Sequence, residues 1–129
     1  MQKVPTSLRY WFLAHFVIDF VFAIPLLVAP LWTLGLFGFE TTTSEAVLFA
    51  RLVGAALIGI GGASLFMHKK GMETYSSMLT LKILWSSAAM VAIGISVFEG
   101  SAPEEALWFL RIFIIFNAIW IYYKVRENR

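Results

Sequence analysis

The chain has 129 residues, of which 60% are hydrophobic and 14% charged, with a net charge of +2 and a mean hydropathy of +0.79. A soluble domain is roughly 45–50% apolar and about 25% charged, and one of this length still leaves roughly a third of its unfolded surface exposed. So much apolar surface cannot be hidden from water. Soluble enzymes, nucleic-acid binders and disordered chains are therefore poor candidates, and the absence of cysteine removes disulfide scaffolds and thiol-ligated metals. An integral membrane protein remains, with the lipid bilayer as its first partner.

The first apolar segment follows Lys3 and Arg9. It runs for about 19 residues over 10–28, longer than the roughly 7–15 of a signal-peptide core, and no small-residue cleavage motif follows. The expectation is a retained first span over about 8–28. His15 stands one turn before Asp19, so their side chains can meet. The pair reads either as a satisfied core histidine or as a proton relay. Pro25 predicts a kink or, alternatively, a helix break of the kind that lines transport sites. Beyond Pro30, the glycine-broken apolar run to Gly38 reads as a short interfacial helix or as an extension of span one.

The polar stretch 39–44 precedes a second span over 45–67, opened by a capping box at Thr42-x-x-Glu45. Arg51, Ala55, Gly59 and Ala63 recur every four residues, predicting a close-packing face that carries Arg51 inward. The cluster Gly54, Gly59, Gly61 and Gly62 lies within an apolar helix without a Gly-Lys-Ser/Thr ending, which argues packing rather than phosphate binding. His68-Lys69-Lys70-Gly71 ends the span with cations and a glycine. The third span covers 76–98, with Lys82, Ser86 and Ala89 on one face. Ser101-Ala102-Pro103-Glu104 repeats the capping form before a fourth span over 104–123. On that span Arg111 and Ala118 are expected inward with Asn117 nearby, and Phe109, Phe113, Phe116 and Trp120 toward lipid.

Each span is long enough for a bilayer core of about 30 Å, which takes about 20 helical residues. The fold expected is all-α, a four-helix transmembrane bundle forming a single membrane domain. Lys3, Arg9, Lys69, Lys70, Lys124, Arg126 and Arg129 fall on one side of it, and Glu40, Glu45, Glu99, Glu104 and Glu105 on the other. Cations in short loops stay in the cytoplasm. Both termini are therefore expected inside, in the plasma (inner) membrane. Aromatic belts agree, with Tyr10, Trp11, Tyr75, Tyr122 and Tyr123 at the inner interface and Trp32 and Trp108 at the outer one.

Asp19, Arg51, Lys82 and Arg111 lie within the spans, each costing roughly 2.5–3.5 kcal/mol at the bilayer centre. Counted along the helices, the three cations come within reach of the one carboxylate. The candidate intramembrane polar cluster is His15, Asp19, Arg51, Lys82, Arg111 and Asn117. It reads either as buried ion pairs that fix helix register or as an ion, proton or anion site, and Lys82 and Arg51 can alternatively snorkel toward headgroups. Neither histidine has metal-ligand spacing, no nucleophile or carboxylate pair is recognisable, and Lys69-Lys70 is too short to bind nucleic acid. No catalytic residue, metal or cofactor is expected.

The run Ala29-Pro30-Leu31-Trp32-Thr33-Leu34-Gly35-Leu36-Phe37-Gly38, followed by Ala50-Arg51-Leu52-Val53-Gly54-Ala55-Ala56-Leu57-Ile58-Gly59-Ile60-Gly61, resembles small four-span prokaryotic proteins of the DoxX-like group. The resemblance covers spans one and two. It implies a four-helix membrane bundle of unknown activity and a role for Arg51, and it carries no catalytic residues to transfer. The function expected is a structural or accessory membrane protein, not an enzyme. The alternative is an oligomeric proton- or ion-coupled transporter or channel that uses Asp19 and the intramembrane cations. A second copy of the chain or another membrane protein is the possible protein partner.

Overall fold

The computed structural model describes residues 3–127, which are helical with short connections and contain no strand. Five helices follow in order: α1 Thr6–Val28, α2 Pro30–Leu36, α3 Ser44–Met67, α4 Met72–Phe98 and α5 Ala106–Arg126. Four of them are 21 to 27 residues long and apolar enough to cross a membrane. They overlap the four hydrophobic segments of the sequence. The described residues divide into two compact units, Pro5–Lys69 and the residues from Lys70 onward together with Lys3 and Val4.

In the first unit α1 and α3 pack side by side with α2 between them in sequence. Leu27 of α1 lies beside Arg51 of α3, Ala23 and Leu26 beside Gly54, Asp19 beside Gly61, and Arg9 beside His68. The two helices are therefore antiparallel. Proline chemistry sets the break between α1 and α2. Pro30 disfavours helical geometry at the residue before it, and Ala29 stands at φ −136° and ψ 66°. Pro30 then takes the first position of α2, where its missing N–H costs nothing. The segment 30–36 is thus a separate short helix rather than a continuation of α1. It ends on Gly38 at φ +86°, with Phe39 N–H donating to Leu34 C=O at 3.0 Å. This left-handed closure favours glycine.

The stripe of α3 that packs on α1 differs from the expected one. Buried positions are Ala50, Gly54, Leu57, Gly61 and Ser64, spaced alternately by four and three. Ala55 and Gly59 are exposed, Ala63 is half-buried, and nothing lies within 4 Å of where a Cβ on Gly59 would sit. A strict four-residue count rotates steadily away from a straight neighbour, because an α-helix has 3.6 residues per turn. Alternating steps of three and four average 3.5 and stay on the seam. Ala55, Gly59 and Ala63, expected on the packing face, therefore lie off the seam with α1.

In the second unit α4 and α5 are also antiparallel. Ser76 lies beside Lys124, Lys82 beside Trp120, and Ser86 beside Asn117. Tyr75, Met78, Leu79, Lys82 and Ser86 are buried on α4, and Ala106, Phe116, Asn117 and Trp120 on α5. Trp120 is 1% exposed and Phe116 7%. Both were expected to face outward, and they instead form the stacked aromatic centre of this helix, with ring centroids 5.5 Å apart. Tyr75, expected in an aromatic belt, is fully buried.

The caps also moved. Thr43, not Thr42, caps α3, its hydroxyl accepting from Ala46 N–H at 3.2 Å. Ser101 closes the preceding helix instead of opening α5. Its hydroxyl and its N–H both donate to Ser96 C=O, while Gly100 at φ +76° makes the reversal. Pro103, Glu104 and Glu105 then form a turn, and α5 begins at Ala106. Helix α4 starts at Met72, before the apolar run does, with Gly71 at the cap position, Glu73 in the first turn and Tyr75 buried.

Candidate functional site

Among the described residues, no group of three or more His, Asp or Glu side chains is placed to hold a metal ion. Apart from Thr33 on α2, whose hydroxyl donates to Ala29 C=O at 2.8 Å, the buried polar side chains lie in two places, one in each unit.

In the first unit, four residues separate His15 from Asp19 on α1, one helical turn. His15 Nε2 is 3.3 Å from Asp19 Oδ1, and each residue is 5% exposed. Burying a carboxylate is costly unless it is hydrogen-bonded or paired, and the imidazole supplies a donor at this distance. Gly61 of α3 makes the burial possible. A Cβ at that position would stand 2.8 Å from Asp19 Cβ and 3.2 Å from Oδ2. Only a hydrogen fits between α3 and the aspartate. One turn along, Ser64 is fully buried and donates to Ile60 C=O at 3.0 Å, satisfying its hydroxyl within its own helix. An imidazole in hydrogen-bond reach of a carboxylate can share and release a proton.

In the second unit Lys82 is fully buried on α4, its Nζ 5.0 Å from the centroid of the Trp120 ring. A cation above an indole face is stabilised by the ring quadrupole, most strongly when desolvated. One turn along, Ser86 donates to Lys82 C=O at 2.7 Å and accepts from Asn117 Nδ2 at 2.8 Å. The same amide nitrogen donates to Ser87 Oγ at 3.0 Å. Asn117 thus ties α5 to two serines of α4. Near the helix ends, Lys124 donates to Ser76 Oγ at 2.7 Å and lies 3.0 Å from Glu127, which accepts from the same serine.

The remaining candidates lie elsewhere. Arg51 is exposed, and its Nε donates to Leu27 C=O at 3.1 Å. Asp19 is level with Gly61, ten residues along α3 and about 15 Å away at the helical rise. Arg51 therefore serves a backbone carbonyl near the end of α1, not the carboxylate. Arg111 is also exposed, with its guanidinium 4.8 Å from the centroid of the Trp108 ring. The inward face expected for Arg111 is the outward one, because Phe116, Asn117 and Trp120 take the buried face and leave Arg111 and Ala118 opposite. Within the first unit, Arg51 therefore does not join Asp19, and Arg111 is exposed on its own unit. Ser87, Gly61 and Trp120 belong to these sites and were not singled out for them by sequence. A hydroxyl beside Ser86 was the one signal available for the first, and a glycine one turn from Ser64 for the second.

No protein-family model, curated protein or solved structure matches the chain.

Proposed function

We propose that this chain is a four-span integral membrane protein with a structural or accessory role, both termini on the cytoplasmic side, in which polar side chains within the membrane fix the pairing of the helices. The observation that carries the reading is surface left uncovered. In the most apolar 18-residue stretch of each long helix, only 28, 22, 11 and 28% of the stretch is buried. Phe66, Leu84 and Phe98 are among the large apolar side chains left exposed. Soluble monomers rarely expose contiguous apolar patches beyond a few hundred Å², whereas lipid is the natural surround for such helices.

Charge supports the orientation. In the first unit Arg9, Lys69 and the His68 carbonyl share one end, and Glu40 and Glu45 flank the other. In the second, Lys70, Lys124 and Arg126 stand at one end and Glu99, Glu104 and Glu105 at the other. Glu73 and Glu127 accompany the cations, which leaves the bias intact because acidic residues contribute little to it. The polar pairs support the structural role. Asn117 bonds across to Ser86 and Ser87 in the manner of helix-fixing contacts, and His15 meets one oxygen of Asp19 within α1.

Single cysteines at Gly71 and Glu104 test the orientation in intact cells. The expected result is labelling of Glu104→Cys by an impermeant maleimide from outside and of Gly71→Cys only after permeabilisation. Labelling of both from the same face defeats the reading. Asp19→Asn tests the role: thermal stability in detergent falls while proteoliposome ion flux is unchanged. Loss of a wild-type flux with the fold intact establishes a transporter instead.

A further inference from the structure

We propose that the first unit carries a binding site for a phosphate-bearing anion, in the membrane the headgroup of an anionic phospholipid, in the cleft where the start of α1 meets the end of α3; this rests on the membrane reading above. The cleft has a volume of about 390 Å³ and is lined by Thr6, Arg9, Tyr10, Leu13, His68 and Lys69. Two of the six carry full positive charge and none is acidic. Such basic clefts between helices on the cytoplasmic side are where anionic headgroups bind.

Local geometry makes the cleft a prepared one. Arg9 donates from Nη1 to His68 C=O, which pins the guanidinium across the two helices. His68 Nδ1 lies 2.6 Å from Leu65 C=O. Two carbonyls at the C-terminal end of α3 are thereby occupied by donors, which offsets the negative end of that helix toward an incoming anion. The opposite pole faces the cleft from α1. That helix has no acidic residue in its first turn and no side-chain cap, since Pro5 stands at the cap position. Its positive end therefore adds to Arg9 and Lys69. The lining is graded as an interfacial lipid requires. Lys69 and Thr6 are exposed at the rim, Tyr10 is 68% exposed beside them, and Leu13 lies one turn farther along α1. Phosphate meets the cations while acyl chain meets Leu13, and the Tyr10 ring sits at the depth where aromatic side chains prefer to lie.

Native mass spectrometry of the full chain in detergent, titrated with phosphatidylglycerol and with phosphatidylcholine, tests the site. The wild type should retain phosphatidylglycerol preferentially. Each charge removed should weaken that binding roughly fivefold, about thirtyfold for Arg9→Gln with Lys69→Gln together. Because Arg9 also bonds to His68, the exposed Lys69→Gln alone is the variant whose fold is not in question. Arg126→Gln, on the other unit, should change nothing. Equal retention of both lipids, wild-type retention in Lys69→Gln, or an equal fall in Arg126→Gln overturns the site, the last by reducing the preference to diffuse surface charge. Inorganic phosphate added to the bound complex separates the sources. Displacement of the lipid identifies a site for the free anion, and failure to displace identifies the lipid headgroup. A chain that stays monodisperse without detergent brings down the membrane reading itself, whereas one that needs detergent and ignores headgroup charge brings down this site alone.

Discussion

Gly61 and Gly59 stand two residues apart on α3, and their surroundings are opposite. A methyl group on Gly61 meets Asp19 Cβ at 2.8 Å, at the root of a side chain that cannot swing away, whereas one on Gly59 meets nothing within 4 Å. Overpacking of a close helix contact costs typically about 1–3 kcal/mol, and alanine is favoured over glycine by up to about 1 kcal/mol in a helix interior. Thermal unfolding in detergent should therefore show Gly61→Ala destabilised by about 1–2 kcal/mol and Gly59→Ala unchanged or more stable. Equal responses would mean that α1 and α3 do not approach at Gly61. The glycine cluster was legible in the sequence as packing, but not which glycines pack. Choosing between them needs the helix's rotation about its own axis, and a strict four-residue count drifts about 40° at each step.

Pairing of elements is held by different chemistry in the two units. In α1 with α3 it is close approach of small residues, and in α4 with α5 it is the amide of Asn117 reaching Ser86 and Ser87. Hydrogen bonds between apolar-environment helices average about 0.6 kcal/mol and reach about 1.7. Replacement of one partner leaves the other orphaned, which costs more than replacement of both. Asn117→Leu should lower stability by about 1–2 kcal/mol, and Asn117→Leu combined with Ser86→Ala and Ser87→Ala should recover part of that loss in a thermal melt. A triple variant no better than the single one would show that the serines are satisfied regardless of Asn117. Span existence was legible because continuous apolar runs leave a helix no alternative. Helix phase was not, and α5 shows why. Its aromatic residues lie all round, so nothing in the pattern told Phe116 and Trp120, which are buried, from Trp108, which is exposed. Arg111 was misplaced for the same reason: its cost in a membrane suggested burial, and a ring beside it on its own helix, Trp108, supplied a partner without burial.

For the molecule as a whole, the asymmetry of charge between helix ends is the property on which orientation depends, and it acts before any tertiary contact forms. Lysine and arginine within short loops are retained on the cytoplasmic side, while glutamate contributes little. Adding cations to the acidic ends should therefore matter more than removing acids from them. A variant with Glu99, Glu104 and Glu105 changed to lysine, and Lys69 and Lys70 changed to glutamine, reverses the bias of the two loops that join the last three long helices. A cysteine reporter in that background should become labelled from outside at Gly71 and protected at Ser101, the reverse of the orientation proposed for the parent chain, in at least part of the population. The same charge exchange should leave the His15–Asp19 contact and the Asn117 bonds undisturbed, since they lie within the helices and away from the exchanged positions. Unchanged labelling would mean that orientation is set by Lys3 and Arg9 ahead of the first span, and the decisive variant would then be the one that neutralises those two alone.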